Sequence, residues 1–206
     1  MDLVCLVPDK SIEATMQALL ATRQQAIRVR PIQFEIVTHP EHDPGCFLAP
    51  TKLLGGFVKR ADHALIVLDA AWDGAPAQQA PELEQQLEQS LKSIGQPGWV
   101  RAVVIEPELE AWVFSDSPHV ATTLGWKTTK ELRDALHAQG LWVEDRAKPA
   151  DPKRAMDWAL KRGGVPRSSS LFRALASRVS LERCEDRSFH RLVNLLREWF
   201  PPNEAG

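Results

Sequence analysis

The sequence predicts an α/β protein, a mostly parallel sheet flanked by helices with a helical C-terminal half. Three observations predict it. Short, continuous apolar runs recur through residues 1–105, as expected of strands buried on both faces. Helical patterns stand between these runs, the alternation that builds parallel sheets. After Ile105 the strand signal stops and helix starts follow one another.

Leu3–Val7 is the first strand. Ser11 can cap the helix that follows, where Ile12, Met16, Leu19 and Leu20 recur at helical spacing. Phe34–Val37 reads as a second strand, and His39 to Pro50, rich in His, Pro and Gly, as a loop. A short helix is expected from Thr51 to Arg60. Ala64–Leu68 is the strongest strand signal and ends in Asp69, after which the chain reads as a loop. Leu83, Leu87, Leu91 and Ile94 form an amphipathic stripe broken at Gln96, Pro97 and Gly98, and Val100–Ile105 is the fourth strand.

In the second half, Ser117-Pro118 and Asp151-Pro152 each place a capping residue before proline at the first helical position. Thr128 can cap a helix from Thr129 to Gln139. Others are expected from Pro152 to Arg162 and from Ser168 to Val179. The last carries Phe189, Leu192, Val193, Leu196 and Phe200 on one face. The 206 residues suit one domain over residues 1–200, with the sheet in 1–115, a helical covering part in 116–200 and a frayed tail at 201–206.

Hydrophobic residues make up 44% and charged residues 25%, the composition of an ordinary globular protein. No apolar run approaches the roughly 20 residues that span a bilayer. Met1 to Pro8 lacks the features of a signal peptide, so the cytoplasm is the expected compartment, with no membrane partner. Three cysteines, Cys5, Cys46 and Cys184, lie too far apart to suggest a disulfide framework. His39, Glu41, His42, Asp43 and Cys46 have metal-ligating chemistry, but a polar surface loop is the simpler reading. Trp112, Trp126, Trp142, Trp158 and Trp199 read first as helix-packing residues, and as a base-stacking platform second.

The net charge of −2 hides an asymmetry, with residues 1–145 at −8 and residues 146–200 at +7. Either the basic half docks on the acidic one, or it forms a nucleic-acid face.

Ligands of open α/β sheets bind outside the carboxyl ends of the strands. Three such ends carry acids here. Asp9 follows the first strand, Asp69 and Asp73 follow the third, and Glu106, Glu108 and Glu110 follow the fourth, with Asp116 close behind. Gathered on one rim they would repel one another unless a cation or basic partner holds them ionised. Mg2+ suits such a set, since it takes oxygen ligands and needs only one or two carboxylates plus substrate phosphates. Taken singly, each acid reads more simply as a turn or helix-dipole residue, and only the three strand ends together bring the two readings level.

The stretch EPELEAWVFSD, Glu106 to Asp116, resembles the PE-x-EAW-LL-x-D signature of Toprim-like proteins of the DUF4276 type. LVCLVPDKSIEATMQALL, ALIVLDAAWDG and KPADPKRAM follow that family's order of a first strand with an acidic loop, a strand ending in an Asp-x-Asp-like turn, and a K-P-x-x-P-K segment. The likeness covers roughly residues 1 to 165, and PELEAW is its most specific part. The whole also resembles a small component of the methylation-associated anti-phage defence system.

The resemblance implies a Toprim fold, a glutamate general acid/base after the first strand and an Asp-x-Asp pair on magnesium, for phosphodiester chemistry. Pro8 stands where that glutamate would fall, Asp9 where a glycine would, and Ala71 replaces the second aspartate. Two readings follow. In the first, the chain is a Mg2+-dependent nuclease or phosphotransferase. Asp69 and Asp73 would hold the metal with Glu108 or Glu110, Asp9 or Glu13 would replace the missing glutamate, and Lys148, Lys153, Arg154 and Arg167 would bind nucleic-acid phosphates. In the second, the site is degenerate and the chain is a non-catalytic binding or scaffold subunit for other defence proteins. There one of the glutamates can pair with an arginine such as Arg167. Both readings expect Asp69 at a strand end, partly exposed and facing the PELEAW segment.

Overall fold

The computed structural model describes residues 1–202 apart from 115, 116, 144, 145, 147 and 183. Four strands form one all-parallel sheet: β1 (Leu3–Val7), β2 (Phe34–Thr38), β3 (His63–Asp69) and β4 (Val100–Ile105), in the order β2-β1-β3-β4. Each strand lies within a residue of its predicted bounds. Alternate side chains enter two cores. Leu3, Cys5, Val7, Leu65, Val67, Val103 and Ile105 point to one face, and Val4, Leu6, Ile66, Leu68, Ala102 and Val104 to the other. This two-sided burial is why the strands read as unbroken apolar runs.

Helix α1 (Lys10–Thr22) packs on the first face, followed by the single turn α2 (Gln24–Ile27). The chain crosses to the second face through α3 (His42–Leu48), α4 (Thr51–Leu54) and a 3-10 turn (Gly55–Phe57), and α5 (Ala80–Ser90) covers the same side. The C-terminal half, α6 (Glu110–Val113), α7 (Pro118–Thr123), α8 (Thr129–Ala138), α9 (Pro152–Gly163), α10 (Ser169–Arg178) and α11 (Arg187–Trp199), adds its apolar faces to the first core. Among the described residues after β4 there is no strand, as the run of capped helix starts predicts.

Two predicted caps form: Thr128 accepts from the Glu131 amide and Asp151 from that of Arg154. Ser168 also caps its helix, accepting from the Leu171 amide. Three expectations are corrected. Ser117 precedes Pro118 but its side chain accepts no capping bond. Asp9, not Ser11, caps α1, its Oδ1 accepting from the Ser11 and Ile12 amides at 2.7 and 2.9 Å. The His39–Pro50 loop contains α3. Pro44 lies in that helix's first turn, where its missing N–H costs nothing, and burial of Cys46 and Phe47 outweighs the local loop signals. The cysteines are all buried and free. No helix among the described residues is long and apolar enough to cross a membrane.

Four tryptophans donate their indole N–H to acceptors inside the structure: Trp99 to the Ala61 carbonyl, Trp112 to Ser188, Trp126 to the Ala159 carbonyl and Trp142 to the Arg146 carbonyl. Trp199 stacks on His63 with centroids 4.5 Å apart, and Trp158 on Trp126 at 5.9 Å. These contacts are those of packing residues.

Candidate functional site

The strand order reverses between β1 and β3. The chain leaves β1 toward β2 by way of α1 on one face, and leaves β3 toward β4 by way of α5 on the other. Connections that part in this way leave a crevice at the strands' carboxyl ends, the usual binding position of such sheets. Asp9 and Asp69 flank it.

Asp69, the last residue of β3, is half-buried, but its carboxylate Oδ1 is inaccessible and has no hydrogen-bond partner. The Ala70 amide donates to the carbonyls of Ile105 and Pro107, and the Ala71 amide to that of Pro107 at 3.0 Å, binding the turn after β3 to the start of PELEAW. Asp69 therefore lies on the same rim as Glu108 and faces that segment, as predicted. Burial, followed by the charges of Asp43, Asp9 and Glu108, holds its carboxyl well above the usual range, with the Leu109 amide opposing.

Asp43 reaches this crevice from the first turn of α3, where its Oδ1 accepts the Asp69 amide at 3.0 Å. Burial and the Asp9 charge push its carboxyl up as well, against the Asp69 hydrogen bond. Sequence reasoning placed Asp43 only in a loop set with His39, Glu41, His42 and Cys46, and that set does not converge. Cys46 is buried in the core, Glu41 is exposed, and His39 spends Nδ1 on the Glu41 amide. Nothing in the local pattern separated Asp43 from a surface acid.

The other expected residues are distributed as follows. The charges acting most strongly on Asp69 do not include Asp73, which is exposed. Glu108 sits at the rim but pairs with Lys153. Glu110 is 2% exposed and pairs with Arg167, which also holds Asp157 at 2.8 Å. Glu13 is fixed by Lys10 and by the Thr38 hydroxyl at 2.6 Å, and these bonds hold its carboxyl below the usual range, a poor setting for a proton acceptor. Lys148 is turned inward, to the Ala111 carbonyl and to Asp186 at 3.3 Å. Arg154 is exposed beside α9's N-terminus, and Asp116 lies outside the described residues. Among the described residues no three His, Cys, Asp or Glu side chains are grouped to hold a metal ion.

Part of the basic half meets the acidic half directly, through Lys153–Glu108, Arg167–Glu110, Arg187–Glu84 and Arg191–Glu84. The charge asymmetry is thus used in part within the molecule. Lys153 and Arg167 nonetheless stay partly exposed at the rim. The Asp69 charge acts on both of them.

No protein-family model matches the chain, and no curated protein or solved structure matches it either.

Proposed function

We infer that the chain is a Toprim-like, Mg2+-dependent protein of nuclease type, acting on phosphodiesters in prokaryotic anti-phage defence. One observation carries the chemistry: a buried, unpartnered carboxylate oxygen on Asp69, at the sheet's switch point, among acids rather than bases. A buried carboxylate left in this way costs several kcal/mol unless a cation compensates it, and Mg2+ needs only one or two carboxylates plus phosphates and waters. The donor set fits that ion. When bound, Mg2+ would stabilise the charge that builds on a reacting phosphodiester. Asp69 would hold it, while Lys153 and Arg167, on both of which the Asp69 charge acts, would donate to phosphate oxygens. The place in defence rests on the sequence resemblance alone.

A second reading is a catalytically degenerate binding subunit of a defence complex. It is favoured by Pro8 and Ala71 and by the engagement of Glu108 and Glu110 by the chain's own Lys153 and Arg167.

Cleavage of single- and double-stranded DNA and RNA with Mg2+ or Mn2+ decides between them. The nuclease reading expects cleavage that Asp69→Asn abolishes, and a metal-induced rise in melting temperature that the same change removes. No cleavage of any substrate, with no metal-induced shift in the wild type, sinks it and leaves the binding subunit.

A further inference from the structure

We propose that Asp43 is a direct ligand of the divalent cation at Asp69, so that the site is a two-carboxylate clamp between α3 and the end of β3. This rests on the reading of Asp69 as a cation ligand, and it commits to which second residue completes the site.

The Asp69 amide donates to Asp43 Oδ1 at 3.0 Å, which ties the Asp43 carboxylate to the peptide that carries the Asp69 side chain. On the Asp69 side, Oδ1 is sealed from solvent and has no donor. An acid that accepts the Asp69 amide, beside an Asp69 oxygen that nothing answers, is a repulsive arrangement that a divalent ion would relieve. Mg2+ tolerates a pair because it dehydrates reluctantly and keeps several waters.

The other candidates for second ligand are engaged or displaced. Asp9 Oδ1 is held by two amides at the head of α1, Glu108 is held by Lys153, and Asp73 is exposed on the turn beyond. The α3 segment also adopts a shape that sets Asp43 in place. His42, immediately before it, has φ of 53°, in the left-handed region that non-glycine residues avoid, and its Nδ1 lies 3.1 Å from the Pro8 carbonyl of the β1 loop. Gly45 is packed so tightly that a Cβ there would lie 2.0 Å from His39 Nδ1. Strain of this kind persists only where the surroundings impose it.

The test is titration of the full chain with Mn2+, read by the loss of the free-ion resonance signal, in the wild type and in Asp43→Asn, Asp69→Asn and Asp73→Asn. Asp43→Asn keeps the oxygen that accepts the Asp69 amide, so the fold should survive. It should weaken Mn2+ by about 10–100-fold, as Asp69→Asn does, while Asp73→Asn should stay within about twofold of wild type. Wild-type affinity in Asp43→Asn with loss in Asp69→Asn overturns this inference but spares the proposed function. No Mn2+ binding in the wild type overturns both. Fe2+ with ascorbate and peroxide, applied to the wild type, needs no variant. Backbone cuts near both residue 43 and residue 69 are expected, and cuts confined to 69–73 would reject Asp43.

Discussion

Two buried carboxylates in this molecule are treated in opposite ways. Glu84, on α5, is 3% exposed and fully answered. Its Oε1 takes the Val104 amide at 3.0 Å and Arg187 at 2.9 Å, and its Oε2 takes Arg191 at 3.1 Å. Asp69 is half-buried, yet its sealed oxygen takes no donor, and the charges around it are mainly acidic. Burial pushes both carboxyls up, but at Glu84 two arginines and an amide pull it back. The contrast separates an acid that holds the fold from one whose buried oxygen the fold leaves unanswered. Glu84 also belongs to a belt along β4, the sheet's outer strand. The Ala102 amide donates to Glu88 at 2.9 Å and the Ala102 carbonyl accepts from Arg191 at 2.8 Å, so side chains occupy groups that would otherwise invite another strand.

The largest effect should come from breaking the answered acid. Glu84→Ala would strand the Val104 amide and take its carboxylate from Arg187, while Arg191 would keep Glu88. Removing one member of a buried pair costs about 3–5 kcal/mol, and partial exposure of the arginines places this case at the lower end. A loss of about 3 kcal/mol lowers the melting temperature of a chain this long by about 6–12 °C. Thermal melts check it, and a fall under about 2 °C would show that Glu84 is no more structural than a surface acid.

The opposite sign is expected at Asp69. In the absence of metal, Asp69→Asn removes a charge that the folded state disfavours, so stability should rise by about 1 kcal/mol, or about 2–4 °C, at pH 7. The pH dependence follows from the raised folded-state pKa. Well below the ordinary aspartate value both the folded and unfolded forms are protonated, and the variant gains nothing. As pH rises through that value and on through the folded one, the wild type alone accumulates the penalty, which is complete above the folded value. The difference in melting temperature between variant and wild type should therefore grow from acid to neutral pH. A difference that stays flat or turns negative would mean that Asp69 is answered in solution as Glu84 is.

Much of this was legible in the sequence because the strands are buried on both faces and the helices carry strong caps. The rim acids Asp9, Asp69 and Glu108 could be placed together because they follow strands that the alternation made parallel. What escaped were matters of topology and of facing. Asp43 comes to Asp69 because the chain passes from β2 over β1 to β3, and strand order is not written in any local pattern. Its own segment carries Pro44 and Gly45, loop signals that the burial of Cys46 and Phe47 overrides. Glu108 and Glu110 are two apart in one motif, yet one reaches the rim and the other is buried on Arg167. Only the path of the backbone into α6, which begins at Glu110, separates them.

The smallest effect sharpens the comparison most finely, because Glu108 stands between the two cases. It has a partner, as Glu84 has, but that partner is Lys153, which is half exposed, and Glu108 lies among the acids that act on Asp69. An exposed lysine pair contributes about 0–1 kcal/mol, since water competes for both ends. Glu108→Gln keeps a hydrogen-bonding oxygen for Lys153 and removes one of the charges opposing Asp69. The two consequences have opposite signs, and the melting temperature should move by less than about 2 °C at pH 7. Carbonyl-labelled aspartate resonances should show the Asp69 titration moving to lower pH in the variant, because a neighbouring negative charge is gone. A melting loss as large as that of Glu84→Ala would make Glu108 part of the fold's framework. An Asp69 titration that does not move would remove Glu108 from the charges that act on Asp69 and leave Asp43 and Asp9.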